Sequence, residues 1–186
     1  RVGRVDVLVN NGGVSQRSLA METDLAVVRR LFEINFFGTV ALTRAVLPSM
    51  LARRAGRIVV VSSLVGKFGT PQRSTYAATK HALHGYFDSL RAEIEPQGVG
   101  VTIVCPGFIR TNVSVNAFAG DGSRRNVMDK TIANGLAPDD FARRMAQAVE
   151  REKDEVYIGG KEKAGVYVKR FAPWVFNRFI GKVPVT

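Results

Sequence analysis

Tyr76 and Lys80 stand four residues apart in the run Ser74-Thr75-Tyr76-Ala77-Ala78-Thr79-Lys80. On a helix that spacing is one turn, so both side chains leave the same face and can share a site. A free phenol, with a pKa near 10, is a poor acid or base at neutral pH. A neighbouring ammonium favours the phenolate and draws that value toward the range where proton transfer is efficient. The same spacing arises by chance on exposed helix faces, so its meaning depends on what surrounds it. Three further groups qualify. Ser62 and Ser63 end an apolar run, and Asn35 sits beside Phe36, Phe37 and Gly38. Such an amide is either a satisfied buried group or one aimed at a water or substrate. Asn10-Asn11-Gly12-Gly13 offers side-chain amides and open backbone. Its residue types suit a tight turn as well as a ligand-binding strand end.

The elements that must position these residues alternate in type. Residues 5–9 (Val-Asp-Val-Leu-Val), 57–63, 99–105 and 155–158 are short and apolar. Runs apolar on both faces mark strands covered on both sides, as in parallel sheets. Thr23 or Asp24 can cap a helix running to about Arg53, with Asn35 in its middle and Pro48 as a kink or break. A second helix spans about 75–95 and stops at Pro96 and Gly98, and Pro138 opens a third over about 139–152. Alternating strands and helices predict βαβ units and a parallel sheet with helices on both faces. Every strand ends in small or polar residues, so those ends converge on one rim. The 186 residues suffice for one domain, 1–186.

Composition excludes several classes. One cysteine rules out an internal disulfide framework, and one cysteine with two histidines makes a metal site improbable. His81, His84 and Cys105 read as ordinary structural residues. No apolar run approaches the roughly 18 residues that cross a bilayer. The net charge of +11 admits nucleic acid or an acidic membrane surface as partner. The scatter of Arg and Lys favours solvated helix faces, and no base-reading pattern is present. Near the end, Tyr167, Val168, Phe171, Trp174, Val175, Phe176, Phe179 and Ile180 alternate with Lys169, Arg170, Arg178 and Lys182. Pro173 and Gly181 bracket a second short helix there. Residues 161–186 therefore read as a helical tail: a docked end, an apolar lid or a membrane-surface contact.

Taken together, Asn10-Asn11-Gly12-Gly13, Asn35, Ser62-Ser63, Tyr76-x-x-x-Lys80 and Pro106-Gly107-x-x-x-Thr111 resemble the short-chain dehydrogenase/reductase family. The thirteen-residue interval from Ser63 to Tyr76 is typical of it. Asn112 to Asn116, with Gly122-Ser123 and Met128-Asp129, looks like its dehydrogenase/reductase member 7 branch. The resemblance implies an α/β, Rossmann-like doubly wound parallel sheet. It also implies an NAD(P)-dependent oxidoreductase interconverting a carbonyl and an alcohol, with NADP favoured over NAD. Tyr76 would be the general acid/base, Lys80 would hold the nicotinamide ribose and lower the tyrosine pKa, and Ser63 would polarise the substrate oxygen. Asn35 would hold a water relaying protons from Lys80. Asn10, Gly12 and Gly13 would contact the adenosine and ribose region. Pro106, Gly107, Ile109 and Thr111 would fix the carboxamide. Gly13 stands where the family more often has alanine. A homo-oligomer would form through the helices at 24–53 and 75–95, and residues 112–136 would line the substrate pocket.

One family motif is missing: the phosphate-binding Thr-Gly-x-x-x-Gly-x-Gly and the strands around it would precede Arg1. The expectation is a carboxyl-terminal two-thirds of such a domain, part of a longer polypeptide, with residues 5–9 forming an exposed edge if the chain stands alone. Localisation follows as cytoplasmic, or membrane-associated if the missing start carries an anchor. Two rival readings remain at this point: a catalytically inactive subunit of the same fold, and a basic module binding nucleic acid or membrane.

Overall fold

The computed structural model describes residues 3–182. Four apolar segments become strands: β1 (Val7–Asn10), β2 (Gly56–Val61), β3 (Val99–Pro106) and β4 (Glu155–Ile158). They pair in parallel in the order β1-β2-β3-β4, with Val9 opposite Val59, Val60 opposite Ile103 and Pro106 opposite Ile158. Parallel neighbours need long crossovers, and helices supply them. Between β1 and β2 run α1 (Leu25–Phe32) and α2 (Gly38–Ala52); α3 (Ser74–Ile94) joins β2 to β3. A short α4 (Lys130–Ala133) and then α5 (Pro138–Glu150) lead into β4. The chain closes with α6 (Ala164–Phe171) and α7 (Pro173–Ile180). This is the parallel sheet with crossover helices that the alternation predicts, in the Rossmann-like form that the resemblance implies.

The period of two along each strand divides the core into two layers. Ile58, Val60, Val101, Ile103 and Cys105 face α3, whose Leu83, Phe87, Leu90 and Ile94 pack there with Met50 of α2. Val59, Val104 and Ile158 face the opposite way, against Phe141, Met145 and Val149 of α5. Because all strands run the same way, Asn10, Ser62-Ser63, Pro106-Gly107 and Gly159-Gly160 meet on one rim. Ligands bind outside the carboxyl ends of strands in such sheets.

Three expectations change. The run at 5–9 is covered on one face only: Leu8 packs on the core, but Val7 and Val9 stay 47% and 44% exposed. The apolar run alone reads as covered on both faces, but β1 is an edge strand among the described residues, as expected at 5–9 for the chain standing alone. Pro48 does not end its helix, since α2 continues through it to Ala52. The long helix expected from residue 24 instead carries a wider π-type turn at Glu33–Phe37, where the Gly38 N–H reaches back to the Glu33 carbonyl. That turn holds Asn35 inward, and the Thr39 hydroxyl donates to the Asn35 carbonyl at 3.0 Å. Single π turns of this kind recur at functional sites.

Candidate active site

The first turn of α3 carries both Tyr76 and Lys80 and is fixed from outside the helix. The Thr75 N–H, which has no partner within the helix, donates to Gln16 Oε1 at 3.0 Å. Gln16 is itself buried and donates to Thr23 Oγ1 at 2.7 Å and Ser18 Oγ at 3.0 Å. The loop after β1 is thereby tied to the start of α3. From the tip of β2, Ser63 Oγ accepts the Val65 N–H at 3.3 Å and donates to the Pro106 carbonyl at 3.5 Å, beside the Tyr76 phenol. Ser63, Tyr76 and Lys80 line one cavity of about 830 Å³ together with Gly13, Pro106, Gly107, Ile109 and Thr111. Asn112, Val113, Asn116 and Ile132 supply part of its wall, as expected of residues 112–136.

Lys80 is buried, and its Nζ donates to the Val61 carbonyl at 2.8 Å. Burial lowers its pKa to about 8. The ammonium lies 5.7 Å from the Tyr76 ring centroid. A Cβ built at Gly13 would stand 3.6 Å from that Nζ and 3.2 Å from Asn35 Oδ1, so glycine keeps the loop close to both. Asn35 clamps the loop through both ends of its amide. Oδ1 accepts the Val14 N–H at 2.8 Å, while Nδ2 donates to the Val14 carbonyl at 2.9 Å and to Thr79 Oγ1 at 3.1 Å.

Burial pushes the Tyr76 phenol above its ordinary range, against the Ser63 hydroxyl and the positive charges of Arg73 and Arg17, which pull it down. The pull that the sequence assigns to Lys80 thus comes here from two guanidiniums. Both converge on a buried carboxylate. Asp129 Oδ2 receives Arg17 Nε at 2.9 Å and Nη2 at 2.7 Å, Arg73 Nη2 lies 3.6 Å away, and Arg125 binds Oδ1. The arginines hold the Asp129 carboxyl below the usual carboxylate range despite its burial. Arg17 and Arg73 both reach the cavity wall. Burial, then the charge of Arg17, lowers Arg73 to about 10.

Two further residues escape sequence reasoning. Glu162 reaches back from the chain after β4, and its Oε1 accepts the Phe108 N–H at 3.0 Å and the Gly160 N–H at 2.9 Å. It thereby pins the Pro106-Gly107 turn. His84 lies beneath Lys80: its Nε2 is 3.0 Å from Ser62 Oγ, which also donates to the Lys80 carbonyl at 3.2 Å. Burial, with the charge of Lys67, lowers His84 to about 4, so the ring is neutral at ordinary pH.

Asn10 and Gly12 lie apart from the main cavity, on a shallower hollow of about 410 Å³ shared with Ile34 and Leu42. Asn10 Nδ2 donates to Thr43 Oγ1 at 3.0 Å, while its buried Oδ1 meets no hydrogen-bond donor of the protein. A side chain at Gly12 would meet open space, so its backbone is bare. An orphaned acceptor beside bare backbone fits the edge of a polar cofactor running from this hollow toward Lys80.

The family model described as short chain dehydrogenase matches residues 1–122, which carry Asn10 to Thr111. The chain is 46% identical over 179 residues to dehydrogenase/reductase SDR family member 7B of Xenopus tropicalis, covering 96% of this chain and 58% of that protein. It thus spans little more than half the length of that relative. A short-chain dehydrogenase from Streptomyces avermitilis has a TM-score of 0.78 at 30% identity, over 96% of this chain and 69% of that one. A short chain dehydrogenase from Burkholderia cenocepacia in complex with NADP gives 0.79 at 26% identity, over the same shares. The parallel sheet with its helices agrees with these likenesses, and the chain belongs to the short-chain dehydrogenase family.

Proposed function

We propose that this chain carries the catalytic side of an NAD(P)-dependent oxidoreductase that interconverts a carbonyl and an alcohol. The observation that carries the reading is that Ser63, Tyr76 and Lys80 line the wall of one apolar cavity together with Pro106, Gly107 and Thr111. The nicotinamide supplies or accepts the hydride when bound. Tyr76 gives its proton to the substrate oxygen in reduction and takes one from the alcohol in oxidation. Ser63 holds that oxygen beside the phenol, so the reacting groups are oriented before the proton moves. Arg73 and Arg17 stabilise the phenolate that remains. Lys80, with a pKa of about 8, changes charge near physiological pH and suits both ribose binding and proton resupply. Asn35 holds the loop at Val14 beside Lys80, a positioning role upstream of any proton relay.

Gly13 with the turn at Pro106, Gly107, Ile109 and Thr111 would receive the nicotinamide end, and Asn10 with Gly12 the ribose and adenosine end. The NADP bound by the Burkholderia cenocepacia relative supports NADP as first choice. The exposed Leu25, Phe37 and Leu42 on α1, the π turn and α2 support pairing with a second copy through this face, alongside α3. The protein at its full natural length should transfer deuterium from 4-deuterated NADPH to one or more members of a panel of apolar aldehydes and ketones. Mass spectrometry showing no deuterium in any alcohol product, with the cofactor bound, would refute the assignment.

A further inference from the structure

The last two helices present two different faces. Val166 and Phe176 are buried, and Phe176 packs on Phe68 with ring centroids 5.1 Å apart. Tyr157 and Tyr167 meet edge to face at 6.1 Å. These contacts seat α6 and α7 on the core. Outward, Phe171 and Trp174 are 80% and 76% exposed. They flank the Ala172-Pro173 corner between the helices, and Tyr167 and Phe179 are more than half exposed beside them. Exposed Arg170 precedes Phe171 on α6, exposed Arg178 lies one helical turn after Trp174 on α7, and Lys161, Lys163, Lys169 and Lys182 belong to the same segment. The single acid of the segment, Glu162, is turned away to the Phe108 and Gly160 N–H groups and does not offset them.

Exposed large aromatics beside cations match one occupant best. Protein interfaces deplete lysine at their centres, whereas amphipathic helices lying in a bilayer surface pair Trp and Phe with a basic rim. Each helix has eight residues, about 12 Å, which lies along a membrane and does not cross one. No helix among the described residues is long and apolar enough to span a bilayer. We propose that the α6–α7 corner docks on an anionic lipid surface, Phe171 and Trp174 entering the headgroup region and the basic side chains meeting lipid phosphates and carboxylates. Val168 and Phe179 both line the large cavity and reach solvent on this face. Docking therefore places part of the cavity wall at the lipid surface. None of this depends on the hydride-transfer reading, and it is measured without turnover.

Trp174 is the only tryptophan in the 186 residues, so its fluorescence reports on the corner directly. Titrating the protein with vesicles of phosphatidylcholine containing phosphatidylserine should move the emission to shorter wavelength. Brominated lipids should quench it, and pure phosphatidylcholine should have little effect. Arg170→Glu/Arg178→Glu should weaken partitioning at least about tenfold, because each basic group near an anionic surface contributes separately. Raising salt should act in the same direction. Both side chains are exposed, and an unchanged melting curve confirms that the variant folds. Emission indifferent to anionic vesicles would overturn the proposal. So would an equal response to neutral vesicles, or a blue shift that follows protein concentration without lipid, which assigns the corner to a second copy.

Discussion

Replacing Lys80 by methionine should make the protein more stable while removing its chemistry. The ammonium is buried, and its pKa falls from 10.5 to about 8. A fall of that size means that keeping the charge at pH 7 costs on the order of 3 kcal/mol. Methionine has a similar length and no charge, so the substitution removes this cost. It also removes the 2.8 Å hydrogen bond to the Val61 carbonyl, and an unsatisfied buried acceptor costs roughly 1–2 kcal/mol. The net gain is about 1–2 kcal/mol, a rise of several degrees in Tm for a chain of this size. The pH dependence separates this from a packing effect. The folded pKa lies below the unfolded one, so between pH 8 and 10.5 the unfolded chain holds the proton that the folded protein has released. Wild-type stability should therefore climb with pH across that window, and Lys80→Met should lack that climb. Urea unfolding at pH 7, 8, 9 and 10 reads both effects. A methionine variant less stable than wild type at pH 7, or pH profiles that run parallel, would refute the reasoning.

Other perturbations test other parts of the site. His84 is held at about 4 against 6.5 in the unfolded chain, so acidification loads the unfolded state first. Its contribution is complete above pH 6.5, and on the order of 3 kcal/mol is lost as pH falls toward 4. The difference between wild type and His84→Gln in acid unfolding should show that slope, and a flat difference would contradict it. Asp129→Asn removes the buried carboxylate that pairs with Arg17, Arg73 and Arg125 and should cost about 3–5 kcal/mol in denaturant unfolding. A loss below about 1 kcal/mol would show that the arginines find other partners.

Local signals in the sequence reached the sheet and the centre of the site. β-branched runs placed four strands, and Pro96 with Gly98 ended α3 because Gly98 has a left-handed φ of 84°, where a Cβ would strike the Arg54 carbonyl. Ser63, Tyr76 and Lys80 were legible because one strand end and one helix turn bring them together. Arg17 and Asp129 were not. They are 112 residues apart, and only the folded chain shows that one carboxylate gathers three arginines beside the phenol. The same holds for Glu162 against Phe108, a pairing 54 residues long. The one-sided cover of β1 and the π turn at Asn35 were hidden for a different reason. Hydrophobic pattern reports what prefers burial, whereas neighbours in the sheet and an extra residue in one helical turn decide which groups achieve it.

The central claim is that the Tyr76 phenol moves the proton. The most direct measurement compares wild type with Tyr76→Phe in the full-length protein, recording the single-turnover rate of carbonyl reduction and the Kd for NADPH on the same preparations. The ring and its packing remain and only the hydroxyl is lost, so the rate should fall by about a thousandfold, with Kd changed less than about twofold. Retention of more than a few per cent of the wild-type rate would contradict the account.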